Sequence, residues 1–199
     1  MSRYTGPKWR INRRENATVL GKGEKWKRRM SLPGQFPILK KRPSDYAIQF
    51  REKQKVKRMY GMTERQFRRF YNIAIKSTGN TSTRLLQLLE MRADNVLFRL
   101  GFASTRTQAR QFIAHGHVLL NGKKHDVAST VLKPGDELTL KDSLFGGQYV
   151  TEIVNQNKAN PVPAWIERLE KGGKVSTEPT RDEIDSTIKE RLIIELYSR

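Results

Sequence analysis

The residues best placed to do chemistry in this chain are clusters of basic side chains near its start. Arg13-Arg14 and the runs at 25–29 and 40–42 are such clusters, with Trp9 and Trp26 beside two of them. Cations neutralise phosphates and release counterions, while tryptophan faces can stack on bases. The pattern favours an arm that binds nucleic acid; the alternatives are a solvated basic tail or a localisation signal.

The three histidines are weak candidates for acid–base catalysis. His115 and His117 flank a glycine and His125 follows a turn, and no nucleophile or carboxylate pair is arranged with them. Asp94 is predicted to be a helix-packing or arginine-pairing residue rather than a catalytic acid. The chain has no cysteine, which excludes disulfides and thiolate zinc sites. We therefore expect no enzyme, no cofactor and no small-molecule substrate.

The net charge narrows the class of partner. Lys and Arg total 39 against 20 Asp and Glu, giving +19, and residues 1–60 carry 18 basic and 4 acidic residues. Such an excess requires a polyanion, a membrane surface or an acidic protein, and nucleic acid leads that list. No apolar run is long enough to span a bilayer, and no secretory signal is visible. An Arg-rich organellar transit peptide remains an alternative for the amino-terminal segment.

Periodicity and capping residues predict helices through the middle of the chain. One follows Pro43 and Ser44 and runs toward Arg58, and a second begins at a Thr63/Gln66 capping box. A third is predicted over 85–100, with a bend allowed near Met91. A fourth, capped by Thr105 and Gln108, runs over 106–115 before Gly116.

Strand signals come next. Asn121-Gly122 predicts a type I′ hairpin turn between strands at 118–120 and 123–127. Residues 137–140 and 149–154 are further predicted strands, 161–170 a loop or short helix, and 171–174 a flexible connection. Thr180 and Glu183 predict a helical turn, and the apolar run 192–197 is expected to dock on a core.

The most informative unit runs from residue 91 to residue 140. Arg106 and Arg110 lie four apart on one helix face, while Ala109, Phe112 and Ile113 can seat that helix on the sheet. A basic surface of this kind reads backbone geometry rather than base edges. The residues expected near it are Arg92, Arg99, His115, His117, Asn121 and Lys123.

The stretches at 92–103, 105–111 and 115–122 closely resemble the RNA-binding domain named after bacterial-type ribosomal protein S-four. That domain also occurs in pseudouridine synthases and tyrosyl-tRNA synthetases. The flanks at 43–46, 52–55, 60–61 and 64–67, with the termini at 3–7 and 192–199, resemble the ribosomal family itself. An RNA-modification enzyme or its targeting subunit, and a free-standing RNA regulator, remain the alternatives.

The resemblance implies a constituent of the small ribosomal subunit. Such a protein binds 16S-type ribosomal RNA directly, nucleates assembly of its 5′ domain, and lies near the mRNA entry path beside ribosomal protein S-five. It supports translation and its accuracy in a cytoplasmic ribosome, an organellar one being possible. Repression of its own messenger, known in the family, is not implied.

Two departures from the family pattern concern the amino-terminal segment and the helix predicted over 106–115. Trp9, Asn12 and Trp26 stand where some members carry zinc-binding cysteines, so no metal is expected and tryptophan packing is the expected substitute. Thr107 stands where a second arginine is common.

Together these readings predict an α+β chain: an extended basic arm, a helical domain, and a small RNA-binding domain of helices on a mostly antiparallel sheet. The expected boundaries are 1–43 for the arm, 44–90 for the helical domain, 91–143 for the RNA-binding domain, and 144–199 for a segment that completes the sheet and docks back on the helical domain. The predicted RNA-contacting residues are Arg3, Lys8, Arg10, Arg13, Arg14, Lys27, Arg28, Lys40, Lys41, Arg42, Tyr46, Lys53, Lys55, Arg58, Arg65, Arg69, Arg92, Arg99, Arg106, Gln108, Arg110, His115, His117, Asn121 and Lys123.

Overall fold

The structure is a computed structural model that describes residues 4–20, 25–28, 31–34, 42–157 and 161–198. It divides into two units, one of Met1–Ser82 with Ser186–Arg199 and the other of Thr83–Asp185. The predicted boundaries at residues 43, 90 and 143 stay predictions. None of the helices in the described part of the chain combines the length and apolar character needed to cross a membrane.

Helices and strands follow one another in the order that an α+β fold requires, and the predicted fold class is confirmed. The helices are α1 (Lys8–Glu15), α2 (Asp45–Met59), α3 (Glu64–Lys76), α4 (Thr81–Glu90), α5 (Ala93–Arg99), α6 (Arg106–Ala114), α7 (Asp142–Phe145), α8 (Gln148–Asn157) and α9 (Glu190–Tyr197). Short 3₁₀ turns lie at Lys25–Arg28 and Arg181–Glu183. The strands are β1 (Val118–Leu120), β2 (Lys123–His125), β3 (Glu137–Leu140), β4 (Ile166–Leu169) and β5 (Gly172–Val175).

Local capping residues start the helices of the first unit where the sequence predicts. Ser44 Oγ accepts a hydrogen bond from Ala47 N at 3.3 Å, and Thr63 Oγ1 accepts one from Gln66 N at 3.4 Å. Each oxygen satisfies an amide that the first helical turn leaves without an internal partner. The predicted starts of α2 and α3 are therefore confirmed.

The core of the first unit forms where α9 packs on α2 and α3. Phe67, Phe70 and Tyr71 are buried on one side of α3, and the Tyr197 ring stacks on Tyr71 with centroids 4.4 Å apart. Lys55 Nζ donates to Thr187 O at 2.7 Å on the approach to α9. The predicted docking of the carboxyl-terminal apolar run is thus confirmed, and the three aromatics are core residues.

The amino-terminal arm contains a two-turn helix, α1, that the sequence did not predict. Asn12 is fully buried; its Oδ1 accepts from Val19 N at 3.1 Å and Leu20 N at 2.9 Å, and its Nδ2 donates to Leu20 O at 3.0 Å. Trp9, by contrast, is 39% exposed. A buried amide, rather than packing of Trp9, holds the following segment against α1; the Trp26 side chain lies outside the described residues.

All strands of the second unit belong to one antiparallel sheet with the order β2-β1-β3-β5-β4. Asn121 and Gly122 have φ values of 51° and 77° and connect β1 to β2. Two successive positive φ values are what a type I′ turn demands. The predicted hairpin is therefore confirmed. Ala109 and Ile113 of α6 are buried in the core beneath the sheet.

The long helix predicted over 85–100 is two helices with a break at Met91 and Arg92. Arg92 adopts an extended conformation and forms an isolated antiparallel bridge with Val131. Met91 O accepts from Leu132 N, and Ala93 N donates to Thr130 O, each at 2.8 Å. Because these amides pair with a distant segment, the apolar pattern continues while the helix does not.

Residues 149–154, predicted as a strand, lie in helix α8. Val150, Ile153, Val154 and Asn157 are its buried residues, and their spacing is the helical one. The prediction was wrong because it rested on a short run of residues that favour strands and did not consider the helical spacing of the longer segment. The predicted strand at 137–140 is confirmed as β3.

The loop or short helix predicted at 161–170 and the flexible connection predicted at 171–174 were also wrong, since β4 and β5 form there. A Cβ on Gly172 would lie 2.1 Å from Leu138 O, and one on Gly173 would lie 2.3 Å from Leu100 Cδ2. Both glycines are buried. They serve close approach between neighbouring backbone and side-chain atoms, a use of glycine that mimics a flexible linker in sequence.

Glu64 joins three helices of the first unit. It accepts hydrogen bonds from Lys53 Nζ at 2.6 Å, Lys57 Nζ at 2.9 Å and Tyr197 Oη at 2.9 Å. Partial burial alone would raise the pKa of Glu64, but these donors outweigh it and lower the pKa to about 2. Tyr197, which donates to that carboxylate from a half-buried position, has its pKa raised.

Glu64→Gln should lower the free energy of unfolding at pH 7 by about 1 kcal/mol, a modest value because solvent screens the half-exposed carboxylate. A depressed carboxyl pKa contributes stability above the unfolded-state value and loses it as pH falls toward about 2. Urea unfolding from pH 7 to pH 2 should show the two proteins converging at low pH. Glu167→Gln, on the exposed face of β4, is the control; equal stability of wild type and Glu64→Gln at pH 7 would contradict the assignment.

Candidate nucleic-acid interface

Buried carboxylates between α4, α5 and α6 hold several of the predicted RNA-contacting arginines. Glu90, with a side chain only 1% exposed, accepts from Arg99 Nη2 at 2.8 Å and from Arg99 Nε at 3.0 Å. Asn95 Nδ2 donates to the same carboxylate at 2.7 Å, and its Oδ1 accepts from Arg106 Nε at 2.7 Å. Arg99 and Arg106 are thus fixed from behind and remain partly exposed.

A second carboxylate, Asp94, lies between two arginines. Arg92 Nε and Nη2 donate to it at 3.0 and 2.7 Å, and Arg110 Nε lies 3.7 Å from Asp94 Oδ2. Burial lowers the pKa of Arg110, and attraction to Asp94 opposes that shift. Arg92 is fully buried and the Arg110 side chain is 14% exposed. Arg92 therefore cannot touch RNA in this structure, which corrects its place among the predicted contacts.

Two polar residues of the predicted set are engaged within the protein. Gln108 Oε1 accepts from Ser104 N at 2.7 Å, and Gln108 Nε2 donates to Tyr149 Oη at 3.1 Å. Asn121 Oδ1 accepts from Glu137 N at 2.8 Å and Asn121 Nδ2 donates to an Asp136 oxygen at 2.9 Å. Both side chains stabilise local structure, helix entry in one case and the hairpin in the other.

The predicted cations of α2 also have internal partners. Lys53 and Lys55 are 8% and 9% exposed and donate to Glu64 and to Thr187 O. Arg58 contacts Glu15, whose side chain is 1% exposed and also meets Arg51. Lys53 and Lys55 therefore pair with groups inside the unit, whereas the Arg58 side chain remains 32% exposed. Tyr46, 54% exposed and stacked on Phe50, stays accessible.

The solvent face of α3 carries the clearest row of accessible cations. Arg65, Arg68, Arg69 and Lys76 are all exposed and, together with Asn72 and Ile73, line one shallow groove. Their spacing places them on one side of the helix over about 16 Å. Burial of Phe67, Phe70, Tyr71 and Ala74 on the opposite side fixes this orientation.

The sequence predicts RNA contacts for Arg65 and Arg69, whereas Arg68 and Lys76 of the same face are not among the predicted contacts. The helical period identifies all four, because they fall on the face opposite the buried residues Phe67, Phe70, Tyr71 and Ala74. Lys124, exposed beside the hairpin, was also missed. Its side chain passes close to Gly116, where an added Cβ would meet Lys124 Cε at 2.6 Å.

The remaining predicted residues divide by position. On the hairpin side of the second unit His115 and Lys123 are exposed and His117 is half-buried, with the two imidazole centroids 6.1 Å apart. In the arm, Arg13 clamps the chain by donating to Ser31 O at 2.9 and 2.7 Å. Arg3, Lys40 and Lys41 lie outside the described residues, and the other arm residues are exposed: Lys8, Arg10, Arg14, Lys27, Arg28 and Arg42.

What this arrangement can do is bind phosphate. Exposed guanidinium and ammonium groups on rigid helices contact the oxygens of a nucleic-acid backbone and fix its position without reading sequence. Arg106 further lies over the Phe98 ring, with its guanidinium carbon 4.7 Å from the centroid, and the attraction between the cation and the ring face adds to its support.

Comparison with known proteins gives consistent matches. Residues 3–90 match the family model described as ribosomal protein S4/S9 N-terminal domain, and residues 91–138 match the S4 domain. The chain is 45% identical over 202 residues to small ribosomal subunit protein uS4 of Opitutus terrae. It is 43% identical over 212 residues to that of Herpetosiphon aurantiacus and 45% over 210 residues to that of Dictyoglomus thermophilum, with all of both chains covered in each case.

Asp94→Asn should lower the free energy of unfolding by about 3 kcal/mol, because it removes the carboxylate that compensates a fully buried guanidinium. Urea unfolding monitored by circular dichroism measures the change. Asp126→Asn, at an exposed carboxylate of the same unit, makes the same change in net charge and should alter stability by less than about 0.5 kcal/mol. Equal stabilities of the two variants would show that Asp94 does not compensate the buried charge of Arg92.

Proposed function

This chain belongs to the family of small ribosomal subunit proteins that includes the uS4 relatives, and we propose that it grips small-subunit ribosomal RNA through two preformed basic surfaces. The family is one of ribosomal structural proteins rather than enzymes. The chain is a small ribosomal subunit protein with an S4 RNA-binding domain. The proposal adds which residues of this chain meet the RNA.

The observation that carries the proposal is the separation of cations into two populations. One population is paired with carboxylates inside each unit, as Arg92 and Lys53 are. The other is exposed, as on α3. Arg99 combines both features, because it is paired with Glu90 and its side chain remains 23% exposed. If the excess cations were only solvated, they would not need to lie on helices whose opposite faces are packed into a core. Phosphate binding uses this rigidity, because ordering a cation before contact lowers the entropic cost of binding.

The first surface is the α3 row of Arg65, Arg68, Arg69 and Lys76. The second is the region of α5, α6 and the hairpin in the other unit, where Arg99, Arg106, His115 and Lys123 are partly or fully exposed. We propose that each contacts the backbone of structured RNA and that the exposed cations of the arm add further phosphate contacts. Arg92, Lys53 and Lys55 are left out of this set because they are buried.

Arg65→Gln combined with Arg69→Gln should weaken binding to small-subunit ribosomal RNA about tenfold or more at moderate salt and should reduce the slope of log K against log salt by about 1 to 2. Both side chains are exposed, so stability should not change. Filter binding across a salt series, with a competitor RNA of equal length, measures both quantities.

The matched control is Lys133→Gln combined with Lys174→Gln, two exposed lysines in the sheet-bearing unit that remove the same charge. Equal losses in the two double variants would mean that only net charge matters, and the α3 surface would be rejected. Failure of the wild-type chain to prefer small-subunit ribosomal RNA would overturn the proposed function itself.

The resemblance also supports a finer proposal about place and timing. We propose that the chain nucleates assembly of the 5′ domain of the small-subunit RNA in the cytoplasm, and that it lies beside ribosomal protein S-five near the mRNA entry path. Staged reconstitution without this chain should leave later proteins off the 5′ domain, and crosslinking of complete subunits should recover S-five and mRNA. Normal 5′ domain assembly in its absence would contradict the nucleating role.

A further inference from the structure

We infer that Glu90 is a positioning residue for RNA binding: its buried carboxylate holds Arg99 directly and Arg106 through Asn95, so that both present fixed guanidinium edges to phosphate. The inference rests on the proposed function, since it assumes that these arginines face RNA. It gives a function in recognition to an acidic residue, which the net charge of the surface alone would not suggest.

The direct contact is a two-point one. Glu90 is the last residue of α4, and its two oxygens accept from two nitrogens of Arg99, Nη2 at 2.8 Å and Nε at 3.0 Å. A guanidinium bound at two points to a carboxylate is held in plane as well as in position. The Arg99 side chain keeps 23% of its surface exposed, so the fixed group remains within reach of a ligand.

The indirect contact passes through a buried amide whose orientation is determined. Asn95 is fully buried, and its Nδ2 donates both to Glu90 O and to Glu90 Oε2, each at 2.7 Å. A reversed amide would place Oδ1 against those oxygens, which cannot donate. Oδ1 is therefore directed away from Glu90, where it accepts from Arg106 Nε at 2.7 Å. The orientation of Arg106 thus depends on Glu90 through Asn95.

Arg106 has a second support on the same side. Its guanidinium carbon lies 4.7 Å from the centroid of Phe98, a residue of α5 like Asn95 and Arg99. The two arginines come from different helices, yet they share one anchor at the end of α4. Their spacing relative to each other is consequently set by the protein and need not be established when RNA binds.

A role of Glu90 through its charge and a role through positioning predict opposite changes in RNA affinity when the carboxylate is removed. If Glu90 mattered only through its charge, neutralising it would make the surface more positive and would tighten RNA binding. If it positions the arginines, neutralising it weakens the two-point contact of Arg99 and one of the two hydrogen bonds that orient Asn95. RNA binding then weakens although the net charge rises. The sign of the change in affinity therefore separates the two roles.

The experiment measures binding of Glu90→Gln to a transcript of the small-subunit 5′ domain, well below the unfolding temperature. We expect affinity to fall about five- to tenfold, because Arg99, and in part Arg106, must then be ordered on binding. We also expect the salt slope to fall by about 1. A loss of stability alone would leave the salt slope unchanged while the protein is folded. Tighter or unchanged binding would overturn the inference.

Glu178→Gln is the matched control. Glu178 accepts from Arg84 Nη1 at 2.9 and 2.8 Å in the same unit and is 41% exposed. The change in net charge is identical, but the arginine that is freed lies outside the proposed surface. Affinity should stay equal to wild type or rise slightly, and a loss equal to that of Glu90→Gln would also overturn the inference.

Arg99→Lys tests the same idea without disturbing the buried carboxylate, should Glu90→Gln fail to fold. Lysine keeps the charge but cannot form the two-point contact, so affinity should fall, whereas Arg84→Lys should leave it unchanged. Equal affinities of both lysine variants and wild type would reject the positioning role. If the wild-type chain itself does not select the 5′ domain transcript, the proposed function fails, and that result is distinct from failure of this inference.

Discussion

Pairing between carboxylates and an excess of cations determines which positive charges of this chain reach its surface. The sequence has 39 Lys and Arg for 20 Asp and Glu, so like charges would repel wherever they are brought together. Glu15, Glu64 and Asp94 each contact two cations, and Glu90 binds Arg99 at two points. Because several of these carboxylates are almost buried, they hold their partners in place, and other cations are left for an anionic ligand.

The parts of the fold that the sequence predicts are those that local chemistry decides. Ser44 and Thr63 cap the helices that follow them, and Asn121-Gly122 turns the hairpin, because each effect acts within a few residues. The strand at Gly172 and the break at Arg92 depend instead on Leu138 and Val131, which are distant in sequence. A glycine pair that fits tightly between strands has the same composition as a flexible linker, so only tertiary structure separates the two.

The candidate surface was predictable in the same limited sense. The family and the class of ligand follow from motifs and charge, but Lys53 and Arg65 look alike in a charged helical pattern. Lys53 lies beside Glu64 because α2 and α3 meet there, and it is buried, whereas Arg65 faces outward. Periodicity names the face of a helix that packs, but not which long side chains on its margins bend back onto an acidic neighbour.

The choice between arginine and lysine follows the same division. In the second unit the partners of the buried carboxylates Glu90 and Asp94 are Arg99, Arg92 and Arg110, whereas the half-exposed Glu64 of the first unit meets Lys53 and Lys57. A guanidinium keeps its charge when desolvated and binds a carboxylate through a planar fork; an ammonium is a strongly hydrated point charge. Where the carboxylate is buried, only arginine satisfies it at two points and leaves part of the same cation at the surface. An arginine anchored in this way, as Arg99 is by Glu90, presents its exposed edge in a fixed orientation, which is the property that the proposed RNA binding uses.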